Sequence, residues 1–149
     1  MHLPSIFHRP MAMANVIPLV DVVNGCANTV TIPKKFYSAK KRRLLTFKEI
    51  LSEPLLAGYS SKKHNENPEF FDALELELKD NTPEEILELG VEMDQLVRGS
   101  FQPTQEDRQL QQRFLAILET YRTALPPFDD LSRLKMGSHF LRTHPELLD

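Results

Sequence analysis

The stretch "LELELKDNTPEEILEL", residues 74–89, constrains the fold of this chain more than any other. Leu74, Leu76 and Leu78 alternate with Glu75 and Glu77, the period of two expected of a strand with one apolar face. Three residues later the pattern changes to that of a helix. Thr82 is placed to cap it, Pro83 takes the first helical position, and Glu85 completes a capping box. Ile86, Leu89, Met93, Leu96 and Val97 form its apolar face, and Gly99 is a natural stop. A strand over 74–79 that feeds a helix over 83–98 is a βα unit, and it predicts an α/β layer.

The rest of the chain is read outward from that unit. "MAMANVI" (11–17) lies between Pro10 and Pro18 and suits a buried strand, and "TVTIP" suits a second. A buried central strand needs partners on both edges, so a run this close to Met1 suggests a domain that has lost its beginning. "LTFKEIL" starts a helix, with Thr46 and Glu49 as a capping box. Positions 57–69 read as a long polar loop. Leu110, Phe114, Ile117, Leu118, Tyr121 and Leu125 keep helical spacing over 105–124, and Pro126-Pro127 end it. A last helix is expected near 131–142, capped by Asp129 or Asp130 and closed by His144-Pro145. Gly137 and Ser138 within it are expected to permit close helix packing. The expected order is therefore an α/β portion over 1–80 and a helical portion over 81–149, together one domain's worth of chain.

The chain has 149 residues; 41% are hydrophobic, 26% are charged, and the net charge is −3. That balance excludes a disordered chain and argues against nucleic acid as a whole-chain partner. Cys26 is the single cysteine, which forbids an internal disulfide and fits a reducing, cytoplasmic compartment. No stretch approaches the roughly 20 apolar residues of a membrane span, and Pro18 and Asp21 interrupt the nearest approach to a signal peptide. The five histidines show no metal-binding spacing, so no metal is expected. There is no G-x-S-x-G elbow and no glycine-rich phosphate loop. Glutamates eight apart (Glu69/Glu77, Glu77/Glu85, Glu84/Glu92) arise by chance in so glutamate-rich a chain.

One cluster stands out. Lys34, Lys35, Lys40, Lys41, Arg42 and Arg43 surround Phe36 and Tyr37. Such a run can grip phosphate, as nucleic acid or as a nucleotide's diphosphate, and it also looks like a nuclear-localisation patch. The alternative is an exposed, solvated loop.

Taken in order, "PSIFHRPMAMANVIP", "TIPKK", "RRLLTFKEIL", "NTPEEILELGVEMDQL", "EDRQLQQRF" and "MGSHFLRTHPELL" resemble the C-terminal end of a bacterial family of glycosyltransferases linked to surface carbohydrate synthesis. The resemblance covers nearly the whole chain. Gly99-Ser100-Phe101 departs from it where a tryptophan is expected, and residues 60–69 have no counterpart. The resemblance implies a truncated Rossmann-like domain, the C-terminal half of a GT-B enzyme. "LPSIF" would end the helix behind the phosphate loop, "HRP" would be the turn and "MAMANV" the strand. It implies a nucleotide-sugar donor, a glycan acceptor and a missing N-terminal domain or subunit carrying the catalytic base. Ser5, Arg9, Asn15, Lys34 and Lys35 would lie nearest the donor, with no metal or other cofactor. The rivals are a helical protein-interaction module, using helices 83–98 and 105–124, and a nucleic-acid binder using residues 34–43.

Overall fold

The computed structural model describes residues 10–17, 19, 29–57, 68–125 and 134–149. The strands are β1 (Met11–Val16), β2 (Thr29–Pro33), β3 (Lys35–Ser38), β4 (Arg43–Leu44), β5 (Leu76–Lys79) and β6 (Lys135–Met136). The helices are α1 (Phe47–Ser52), α2 (Pro54–Ala57), α3 (Pro68–Ala73), α4 (Pro83–Val97), α5 (Gln105–Thr120) and α6 (Ser138–Thr143). Short 3₁₀ turns follow α5 at Arg122–Ala124 and α6 at Pro145–Leu148.

The strands form two three-stranded sheets. One runs β1-β2-β6 with all strands parallel; the other runs β4-β3-β5 and is antiparallel. The fold is thus mixed α/β, as expected. β2, buried along its whole length, is the central strand of the parallel sheet, and β1 pairs with β2 alone among the described residues. Chain continuity joins the sheets: β2 passes through Lys34 into β3, and the Lys34 amide donates to Val16 O at 3.0 Å. Lys35, Phe36 and Ser38 are buried on β3 while residues 39–43 are exposed, so the expectation of an exposed basic segment is corrected for its first half and holds for its second. Phe36 packs against Phe71 of α3, and that partner needs a strand, not a loop, beneath it.

The capping motifs formed as read. Thr46 and Thr82 both close full capping boxes, and Pro83 opens α4. Thr104 and Asp107 close a third on α5, missed because aspartate stands where glutamate is usual. At the end of α4, Gly99 (φ 69°) donates to Leu96 O and Ser100 to Gln95 O, the paired bonds of a Schellman stop. Phe47 of α1 meets Phe114 of α5 edge-on, with ring centroids 5.4 Å apart, and Ile117, Leu118, Phe140 and Leu147 complete that part of the core.

Three boundaries differ from expectation. β5 starts at Leu76 because the amides of Leu74 and Glu75 turn back to Phe71 and Asp72 at the end of α3. The helix begun at Gln105 ends at Thr120 and tightens to 3₁₀. The C-terminal part is not helical throughout: β6 pairs with β2 through Val30–Lys135 and Thr31–Met136. The last helix starts at Ser138, and the proposed caps Asp129 and Asp130 lie outside the described residues. Gly137 lies ahead of that helix, not within it. Its role is close approach of helix to sheet, since a Cβ there would stand 2.8 Å from Ile32 Cγ2.

Gly137→Ala is therefore expected to destabilise the chain by about 1–3 kcal/mol through overpacking. Thr82→Ala should cost about 1 kcal/mol by removing the α4 cap. Urea denaturation of the two variants checks both values, and an unchanged midpoint in either would contradict the corresponding contact.

Candidate functional site

The carboxyl ends of β1 and β2 lie side by side at one edge of the parallel sheet, the edge at which α/β folds place their ligands. β1 ends at Asn15 and Val16, β2 at Pro33, and the link from β5 into α4 passes beneath them. Asn15 has φ 55°, in the left-handed region that asparagine tolerates better than most residues. A reciprocal amide clamp accompanies this conformation. The Asn15 amide donates to Asn81 Oδ1 and the Asn81 amide to Asn15 Oδ1, both at 2.6 Å, while Asn81 Nδ2 donates to Pro33 O at 3.0 Å. One buried asparagine thus ties two strand ends to the start of α4.

Behind the clamp lies a buried ionic cluster. Lys35 Nζ donates to both carboxylate oxygens of Glu85, at 2.6 and 2.8 Å, with both side chains over 90% buried. His144 Nε2 lies 2.5 Å from Glu85 Oε1, and its Nδ1 lies 3.3 Å from Glu146. Since an ionised carboxylate can only accept, the ring donates through Nε2. The Thr82 amide supplies a further bond to Glu85 Oε2 at 2.7 Å. Burial would push the Glu85 carboxyl up; the Lys35 ammonium, the Thr82 amide and His144 outweigh it and hold the group at about 2.

The predicted donor residues fall into three groups. Ser5 and Arg9 lie outside the described residues. Asn15 and Lys34 reach the carboxyl edge; Lys34 Nζ lies 2.6 Å from Asp80, which is 68% exposed. Lys34 is 26% exposed, and because its partner is largely in water the pair is worth little, so Lys34 can exchange Asp80 for an incoming anion. Lys35 reaches the same edge, but Glu85 engages its ammonium. Asn81, Glu85 and His144 were not singled out from sequence as site residues. Glu85 was visible as a helix cap and in a glutamate pair given no weight, and nothing in a single sequence ties residue 144 to residue 85.

Two more members of the basic run are paired, while Lys40 and Arg42 are exposed. Lys41 and Arg43 both hold Glu49, at 2.6 and 2.7 Å, and Arg43 foremost keeps that carboxyl well below its usual range. Among the described residues no group of three or more potential ligands could hold a metal, and no helix is long and apolar enough to cross a membrane. Compared with known proteins, the chain matches no family model, no curated protein and no solved structure.

Glu85 titrates below its ordinary value of 4.5, so its contribution is complete above that pH and is lost as pH falls through about 2. Glu85→Gln should cost about 3–5 kcal/mol near neutral pH by leaving Lys35 buried without its counter-charge. The gap between variant and parent should narrow from pH 5 to pH 2. Urea unfolding at several pH values measures it, and a constant gap would mean that Glu85 is not ionised in the fold.

Proposed function

We propose that the chain is the distal half of the nucleotide-sugar-binding domain of a cytoplasmic GT-B-like glycosyltransferase. The whole enzyme would move a sugar from a nucleotide donor to a saccharide or lipid-linked acceptor in surface polysaccharide synthesis. The observation that carries this reading is the carboxyl edge of the parallel sheet. Asn15 stands there in the left-handed conformation, beside a lysine whose surface partner can be exchanged for an anion. A Rossmann-like domain receives its ligand at that edge, which supports the reading. In it, Lys34 meets the donor diphosphate, and Asn15 positions the backbone next to it. Lys35 acts from behind, by keeping the edge in place through Glu85. Ser5 and Arg9, which lie outside the described residues, are donor-side residues in the same reading. Basic side chains and helix dipoles neutralise the leaving diphosphate, and the catalytic base comes from a facing domain.

One observation favours a second reading, a helical protein-interaction module. Ile86, Leu87, Val91 and Val97 leave apolar surface on α4 in contact with solvent. The nucleic-acid reading has less support, because Lys35 is buried against Glu85 and Lys41 and Arg43 share Glu49.

The test is to sequence the coding DNA upstream of Met1 and to express the extended chain beside residues 1–149. The expected result is an open frame encoding a Ser/Gly-containing loop and a second α/β domain. The extended protein should hydrolyse or transfer from a nucleotide sugar, with Lys34→Ala weakening donor binding, and residues 1–149 alone should show no turnover. A closed frame, or robust turnover by 1–149 alone, would overturn the proposal.

A further inference from the structure

α4 carries a second buried carboxylate, Glu92, about two helical turns beyond Glu85. Glu92 Oε2 accepts from the Ser138 amide at 2.7 Å and Oε1 from the Ser138 hydroxyl at 3.0 Å. It therefore caps α6 in place of Gly137, which has no side chain to do so. Two donors leave part of its acceptor capacity open, since a carboxylate offers about four lone-pair positions. No cation forms an ion pair with it among the described residues, although it is only 7% exposed. Its neighbour Asp107 is answered differently, by the Thr104 amide and hydroxyl and by Arg142. Buried glutamates are rare unless paired, so Glu92 needs an explanation beyond its capping bonds.

The space beside it supplies one. Glu92 and Asp107 line an open cleft of about 440 Å³ between α4, α5 and β6, within the range of small-molecule sites. Leu96, Phe101, Pro103 and Met136 form an apolar wall. Arg108 and Lys135 stand exposed on the same lining, and neither forms an ion pair among the described residues. The cleft thus offers a carboxylate with open acceptor positions, two cations and an apolar surface.

We infer that this cleft binds a small zwitterion with an apolar body, of the free α-amino acid class. Its ammonium meets Glu92, its carboxylate turns toward Arg108 and Lys135, and its side chain lies on the apolar wall. The ammonium supplies the directly contacting cation that Glu92 lacks among the described residues. Burial, reinforced by the Asp107 charge, pushes the Glu92 carboxyl up against the Ser138 bonds and Arg142, and a bound ammonium brings it back down. The lining shares no residue with the Asn15, Lys34 and Asn81 edge, and the inference does not depend on the glycosyltransferase reading.

The experiment uses the chain as it stands, with L-phenylalanine as probe, followed by ¹H–¹⁵N spectra. The expected result is a saturable shift of the Leu96, Asp107, Met136 and Ser138 amides. 3-Phenylpropionate, which lacks the ammonium, and 2-phenylethylamine, which lacks the carboxylate, should each bind at least tenfold more weakly. Glu92→Gln keeps an oxygen to accept from Ser138 but loses the charge. It should weaken L-phenylalanine at least tenfold and leave 3-phenylpropionate unchanged. The absence of a saturable shift would reduce Glu92 to a helix cap and overturn the inference, as would equal binding of 3-phenylpropionate to the parent chain. If the variant does not fold, the ranking of the three probes on the parent decides the matter.

Discussion

The bidentate pair between Lys35 and Glu85 is the contact on which the arrangement of this molecule depends. It joins the first residue of β3 to the first turn of α4, and with His144 it draws in the C-terminal segment. A lysine and a glutamate buried together gain little net stability over an apolar pair of the same shape. Removing one partner, however, strands the other charge in a low-dielectric interior. The interaction therefore selects one arrangement more than it adds stability: α4 can dock on β1 and β2 only where Glu85 meets Lys35. Asn81 sits four residues before Glu85 and reaches Asn15 and Pro33 once α4 is seated. The geometry of the carboxyl edge follows from the ion pair behind it.

α4 repeats the device further along its length. Glu85 bonds to its own cap and to β3, while Glu92 caps a different helix, α6. The two carboxylates shift in opposite directions: Glu85 goes down because Lys35, Thr82 and His144 outweigh its burial, and Glu92 goes up because burial and the Asp107 charge outweigh Ser138 and Arg142. Acid thus weakens the first attachment of α4 while relieving the charge at the second. On its outer side α4 keeps Leu87 and Val91 exposed, one turn apart. The helix holds the sheet from within and presents apolar surface outward.

Local signals were legible in the sequence where the cause is local. Thr46/Glu49 and Thr82/Glu85 are capping boxes whose donors and acceptors lie three residues apart, and Pro83 and Gly99 act through their own backbones. The βα unit at 76–97, the strands at 11–16 and 29–33 and the apolar face of α5 followed from periodicity for the same reason. β6 did not, since two residues carry no period and its pairing with β2 joins positions more than 100 apart. The basic run misled in a different way. Lysine at 35 is coded like lysine at 40, and only a glutamate delivered by α4, 50 residues on, makes one a buried ion and leaves the other in water.

What the sequence by itself determined was the class of the fold and the start points of α1, α4 and α5. Capping, proline placement and side-chain alternation are satisfied within a few residues. The tertiary structure alone decided where the charges go. It brought Lys35, Glu85 and His144 into one cluster, Asn15 and Asn81 into one clamp, and Glu92 to the wall of a cleft beside Arg108 and Lys135. Each of these depends on the desolvation of a polar group, and desolvation is a property of the packed neighbours and not of the residue that carries the charge.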